Sequence, residues 1–446
     1  MAGLTRRTFA ASALAALPAL FATGAEAAGA ETARVGAARA GQAGTGAGAG
    51  ASGTGAAAAA VPTAGTGAAP AGGRAAPAGA TRGMWLATVA NRDWPSAPGL
   101  SAARQRDELL WYLDAAVKRR LNTVIFQVRP TADALWPSPH EPWSACLTGT
   151  QGRNPGWDPL GTAVAEAHAR GLELHAWFNP YRVATHTDPS RLVAGHPARR
   201  NPDWVVPYGG KLHYNPGLPE VRAFVEDAIL DAVERYPVDA VHFDDYFYPY
   251  PVAGQTFDDK AAHKAHGDAF STRAAWRRNN IDLLVRETSA RVHAARPGTR
   301  FGISPFGVWR NASTDPRGSQ TRAGVQTYDD LHADTRTWVR EGWIDYVVPQ
   351  LYWHIGQSAA DYAVLAEWWA DTARGTPTAL YLGEALYKAG DPAQAAAWQD
   401  PRELSRHLEL AAALPEVGGH VFFSAKEVVA DRNGALARVV ADHYAG

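Results

Sequence analysis

Val241-His242-Phe243-Asp244-Asp245-Tyr246-Phe247-Tyr248-Pro249-Tyr250 begins as an apolar strand and ends as an aromatic, proline-broken loop. Two adjacent carboxylates mark the transition. In parallel α/β proteins the loops beyond the C-terminal ends of strands are where chemistry collects. Rings beside carboxylates suit a sugar, whose C–H faces stack while its hydroxyls need acceptors.

Outward from this stretch, strand-like runs recur in a regular rhythm: Met84–Thr88, Thr123–Arg129, Leu172–Phe178, Ala240–Asp244, Phe301–Pro305, Tyr346–Tyr352, Ala379–Gly383 and His420–Ser424. Helical segments fill most of the intervals. In 101–120, Ser101 is a natural cap and Leu109, Leu113, Ala116 and Val117 share one face. Further helices are expected over 159–170, 221–235, 274–295, 328–341, 361–374 and 401–414. Eight strands alternating with helices predict an α/β fold, a (β/α)8 TIM-type barrel, rather than an open sheet. No glycine-rich dinucleotide fingerprint or phosphate loop argues for the open alternative.

Alternation along each strand decides which side chains face the barrel axis. His242 and Asp244 share the inward face of the fourth run, opposite Val241 and Phe243. The same rule sends Gln127 and Arg129 inward, together with Glu173, His175, Trp177 and Asn179, and Gln350 and Tyr352. The parity of Leu380, Leu382 and Glu384 aims the Glu384 carboxylate at the rim of the same pocket. Asp245 has the wrong parity for the interior unless the loop re-aims it, so Asp244 ranks above it. His175 and His242 are read first as core hydrogen-bonding histidines. Trp85 and Trp343 read as core, Asp158 as a helix cap ahead of Pro159, and Asp258-Asp259 as a solvated pair.

The chain of 446 residues has a formal net charge of −1, which argues against nucleic acid or an anionic membrane as partner. Its single cysteine, Cys146, precludes an internal disulfide and reads as a small buried residue. Thr5-Arg6-Arg7-Thr8-Phe9, an apolar run over 10–22 and the small-x-small site Ala25-Glu26-Ala27 read as a twin-arginine signal peptide, 1–28, with an ordinary Sec signal as the alternative route to the same destination. The apolar run is short for a membrane span, so no stable insertion is expected once the signal is removed. Residues 29–80 are almost wholly Ala, Gly, Thr, Pro and Ser, the composition of a disordered spacer. The barrel is expected over 81–446, in an exported protein, extracellular, periplasmic or held at the cell envelope.

Zinc is disfavoured, because no His-x-His or His-Glu-x-x-His spacing occurs. No Gly-x-Ser-x-Gly nucleophile elbow follows a strand.

The strand-end motifs resemble the glycosyl hydrolase-like family 10 of bacteria. They include Arg82-Gly83-Met84-Trp85, Gln127-Val128-Arg129-Pro130 with Asp133-Ala134-Leu135, and 147–152 Leu-Thr-Gly-Thr-Gln-Gly. Gly156-Trp157-Asp158-Pro159-Leu160, His175-Ala176-Trp177-Phe178-Asn179-Pro180-Tyr181-Arg182 and His242-Phe243-Asp244-Asp245-Tyr246-Phe247-Tyr248-Pro249 follow. The C-terminal half adds Phe301-Gly302-Ile303-Ser304-Pro305-Phe306-Gly307 and the run 345–353. The resemblance implies a (β/α)8 barrel acting on a polysaccharide, with bacterial cell-wall glycans, such as peptidoglycan strands, as the candidate polymer. Glu384 departs from the small or apolar residue usual there.

Glycoside cleavage ordinarily needs two carboxyls, one to protonate the leaving oxygen and one to attack or to activate water. Asp244 is the expected nucleophile or base, with Arg129 and His242 shaping its ionisation. Asp245, Asp133 and Glu384 are the candidate acids, in that order. Trp177, Tyr181, Tyr248, Trp309, Tyr352 and Trp353 are expected as stacking rings. Asn179, Arg182 and Gln350 are expected to bind hydroxyls, with Gln127, Arg129, His175 and His242 in the same pocket. The chemistry requires no metal or organic cofactor. The competing reading is a non-catalytic glycan-binding barrel of the cell envelope.

Overall fold

The computed structural model describes residues 79–444. The signal peptide and all but the last two positions of the spacer lie outside the described residues. Eleven strands follow in order: β1 (Thr81–Leu86), β2 (Thr123–Arg129), β3 (Glu173–Phe178), β4 (Arg182–Ala184), β5 (Val205–Tyr208), β6 (Lys211–Tyr214), β7 (Ala240–Phe243), β8 (Arg300–Ile303), β9 (Tyr346–Val347), β10 (Ala379–Glu384) and β11 (Val417–Phe422). Eight of them close a barrel in the order β1-β11-β10-β9-β8-β7-β3-β2, every pair parallel. Helices connect them, so the chain is a (β/α)8 TIM-type barrel.

Local chemistry sets the helix ends. Ser101 accepts the Arg104 N–H at the start of Ala102–Lys118, whose Leu109, Leu113 and Ala116 are buried. Asp158 accepts the Gly161 N–H at the start of Pro159–Ala169. The single helix expected over 328–341 is instead two short ones, Thr327–Asp330 and Thr335–Arg340. His332 lies between them at φ 53°, a left-handed conformation that no α-helix continues through. The small antiparallel sheet β4-β6-β5, between β3 and β7, was not anticipated. Its β5–β6 turn is Gly209-Gly210, both at positive φ, as a tight two-residue hairpin demands.

The barrel interior is packed solid. Trp85 on β1 directs its indole N–H at His242 Nε2 on β7, 3.3 Å away, and His175 on β3 meets the Tyr346 hydroxyl on β9 at 2.9 Å. Neither strand pair is adjacent, so both contacts cross the axis. Trp177, Val348, Tyr381 and Val421 complete this core. Gly302 is required here, since a Cβ on it would stand 2.1 Å from the Tyr346 ring. The inward parity expected for β2, β3 and β7 is observed. That expected for β10 is reversed: Tyr381 belongs to the interior core, and a Cβ on Gly383 would meet the Trp85 ring at 3.1 Å. Glu384 therefore points outward, behind the sheet.

Candidate active site

At the C-terminal mouth of the barrel a line of amides leads to Asp244. The backbone N–H groups of Thr88 and Val89 donate to Gln127 Oε1 at 2.8 and 2.9 Å. With its oxygen so occupied, Gln127 turns its amide N–H to Asn179 Oδ1 at 2.6 Å. Asn179 in turn donates to Asp244 Oδ2. The Tyr246 N–H donates to Asp244 Oδ1 at 3.1 Å. The Arg182 guanidinium and the Trp177 indole N–H also favour the Asp244 anion. Trp177 Nε1 comes close enough to influence that charge without completing a hydrogen bond. Burial outweighs these partners and raises the Asp244 carboxyl above its usual range.

Asp245 is re-aimed by the turn that follows Phe243. Gln350 Nε2, which also donates to the Ser304 carbonyl at 2.9 Å, donates to Asp245 Oδ1 at 3.1 Å. The Tyr250 hydroxyl donates to Oδ2. Burial, and next the Asp244 charge beside it, push Asp245 up to about 7. Two consecutive carboxyls thus share a site in which burial resists ionisation of both, and the donors around Asp244 favour its anion while the Asp244 charge favours the protonated form of Asp245. An anion beside a protonated acid is the pairing that acid-assisted bond cleavage uses.

Beneath the pair lies a neutral relay. His242 Nε2 accepts from the Ser304 hydroxyl at 2.9 Å, and His242 Nδ1 meets the Tyr346 hydroxyl at 3.0 Å. The Tyr346 hydroxyl then reaches His175 Nδ1, and His175 Nε2 reaches Glu173 at 3.2 Å. Burial holds both histidines below their usual pKa, so the ring nitrogens alternate as donor and acceptor. Arg300 closes the relay on Glu173.

The sequence expectations divide at this point. Asp244, Asp245, Asn179, Gln127, Trp177, Arg182 and Gln350 are assembled as one group. Arg182 serves it as a charge, with its Nε on the Pro130 carbonyl and its guanidinium over the Tyr246 ring. Tyr352 and Phe423 lie alongside each other, ring centres 6.1 Å apart, and Trp353 is half-buried against Phe306.

Arg129 is corrected. It is fully buried, pairs through two nitrogens with Glu141 and donates to the carbonyls of Asn179 and Pro180. It braces the loop that carries Asn179, and Arg182 is the cation that acts on Asp244. His175 and His242 are sealed in the barrel below the mouth. Tyr181 and Tyr248 are buried in loop packing, Tyr248 between Phe257, His332 and Arg277. Trp309 donates to Asp334 and stacks on Trp368. None of these three offers a free ring face. Asp133, pushed up to about 6 by burial, has Thr131 and Ser144 as partners rather than the pair. Glu384 is held by Tyr362, His407 and His420 at 2.7 to 2.9 Å, away from the mouth. Asp259 is no solvated group but a buried partner of Arg277.

Sequence reasoning missed Tyr250, Ser304, Tyr346 and Phe423 as site neighbours. Tyr250 stood in the central stretch, five residues beyond Asp245, and that proximity was the available signal.

The profile of the family described as Glycosyl hydrolase-like 10 matches residues 80–400. The chain belongs to that family. This glycosyl hydrolase-like 10 chain is 51% identical over 352 residues to the glycosyl hydrolase YngK of Bacillus subtilis (strain 168), covering 78% of this chain and 68% of that protein. It is 43% identical over 362 residues to the glycosyl hydrolase DigH of Escherichia coli (strain K12), covering 77% and 82% respectively. Among solved structures it is similar in fold to the glycoside hydrolase domain of PgaB (BpsB) from Bordetella bronchiseptica, with a TM-score of 0.52, 12% identity and coverage of 81% of this chain and 98% of that one. As a family member with such relatives, the chain is a glycosyl hydrolase. Among the described residues, no helix is long and apolar enough to cross a membrane.

Proposed function

We propose that this hydrolase is exported by the twin-arginine route and cuts O-glycosidic bonds in a polysaccharide of the cell envelope, with peptidoglycan glycan strands as its substrate. Asp245 donates the proton to the leaving oxygen, and Asp244 supplies the negative charge that stabilises the positive sugar ring in the transition state. The observation that carries this reading is the contrast between two neighbouring carboxyls. Asp244 is surrounded by donors and Arg182, whereas Asp245 is pushed up to about 7 by burial and by Asp244. The export route rests on the twin arginines, Arg6-Arg7, and the site Ala25-Glu26-Ala27. The choice of polymer rests on the proposed export, which would bring a glycosyl hydrolase to the glycans of the envelope.

The test is reducing-end release from purified, peptide-free peptidoglycan strands, beside soluble α- and β-glucans. Release from the peptidoglycan strands and not from the glucans is expected. Retention of the strands on the protein without any release would overturn the catalytic reading in favour of a glycan-binding barrel. Fusion of residues 1–28 to a reporter that folds before export tests the route, which fails if Arg6→Lys/Arg7→Lys leaves export intact.

A further inference from the structure

Direct displacement at a sugar carbon needs carboxyls on opposite faces of the ring, about 5–5.5 Å apart for retention or about 6.5–9.5 Å for inversion. Asp244 and Asp245 are consecutive, with Cα atoms about 3.8 Å apart, and the charge of one raises the pKa of the other. At the mouth Asp244 is anchored to Asn179, beyond β3, and Asp245 to Gln350, beyond β9. The rival acids are engaged elsewhere: Asp133 with Thr131, Glu141 with Arg129, and Glu384 with His407 and His420. A sugar bound over the pair meets an acid and a fixed anion from consecutive residues, and none of those three carboxyls joins them as a separate nucleophile.

We infer that the nucleophile belongs to the substrate, and that the enzyme acts on glycosides of 2-acetamido-2-deoxy sugars by neighbouring-group attack. This deepens the proposed function and rests on it. The acetamido carbonyl oxygen bonds to C1 as the C1–O bond to the leaving sugar breaks, and the Asp245 proton passes to the leaving oxygen. The result is a bicyclic oxazolinium, whose N–H is held by the Asp244 carboxylate. Water then attacks C1 and gives its proton to Asp245. The C1–O bond of the bicycle breaks, the amide is restored and the anomeric configuration is retained. The surroundings suit an acetamide. Asp244 is an oriented acceptor for its N–H, flanked by the Arg182 guanidinium and the Tyr246 N–H. Asp244 is fixed in place by the line of amides from Thr88 through Gln127 and Asn179, as an acceptor for a directed N–H must be.

The experiment uses the full chain and peptide-free strands that have been N-deacetylated and then re-acylated with either acetyl or trifluoroacetyl groups. Fluorine withdraws electrons from the carbonyl oxygen and weakens it as a nucleophile without removing the amide. The expected results are restored cleavage of the acetyl strands, a loss of about a hundredfold on the trifluoroacetyl strands, and a retained anomer in the first product. Equal cleavage of the two, or an inverted anomer, overturns the inference and leaves the hydrolase reading standing. No cleavage of native or re-acetylated strands overturns both.

Discussion

Asn179 donates its side-chain N–H to Asp244 because Gln127 already occupies its oxygen. The orientation of one amide thus fixes the next, beginning from two backbone N–H groups that cannot rotate. Asn179→Ala is expected to lower kcat/KM about a hundredfold, as loss of an oriented donor at a developing charge does. Gln127→Ala removes only the orienting partner, a cost of about 1 kcal/mol and about fivefold in rate. Steady-state kinetics on peptide-free strands separate the two, and an Asn179→Ala variant with wild-type kcat/KM would show that Asp244 needs no orientation.

The acid must be protonated to act. With Asp245 pushed up to about 7, turnover is expected to fall about tenfold per pH unit above that value. The Tyr250 hydroxyl is one of the contacts that lowers this pKa. Tyr250→Phe should therefore carry the alkaline limb to higher pH. A kcat–pH profile checks both statements, and a limb that stays in place in the variant would remove Tyr250 from the acid's environment.

The same group costs stability. Its folded pKa of about 7 exceeds the ordinary 3.8, so between those values the folded state binds the extra proton and stability falls as pH rises. Above about pH 7 the native state holds a buried charge beside Asp244. Asp245→Asn removes it, and the melting temperature should rise by roughly 2 °C or more at pH 8, with a smaller gain at pH 5. Calorimetry at the two pH values tests the sign.

Glu384 behaves in the opposite sense. Despite its burial, His407 and His420 bring its carboxyl down to about 2. Its stabilisation is present above 4.5 and is lost as pH falls through about 2. Glu384→Gln strands two histidines in the interior and should cost about 3–5 kcal/mol at pH 7, with turnover per folded molecule unchanged. A variant that unfolds normally yet loses turnover would return Glu384 to the chemistry.

How much of this was legible in the chain depends on how local the determining contact is. Caps such as Ser101 and Asp158 act within three residues, and the period of two on β2, β3 and β7 depends on immediate neighbours; both were readable. On β10 the same rule placed Glu384 at the rim, yet what decides its side is Trp85 against Gly383, about three hundred positions away in sequence. The partners of Glu384 arrive on the helices Tyr362–Ala373 and Glu403–Ala411 and on β11, which no spacing brings together. Tyr181, Tyr248 and Trp309 sit in loops long enough to pack on themselves, and composition does not distinguish such a ring from one left open for a sugar. For Arg129 the buried partner, Glu141, lies twelve residues on with no periodic signal between them.

The claim on which the account depends is that Asp244 and Asp245 together perform the cleavage. Its most direct test is single-turnover reducing-end release from peptide-free peptidoglycan strands by the wild-type protein, Asp244→Asn and Asp245→Asn, each first shown to melt cooperatively. The account predicts a loss of about a hundredfold or more for each variant, with the alkaline limb near pH 7 absent from Asp245→Asn. Release at the wild-type rate by either folded variant would contradict it.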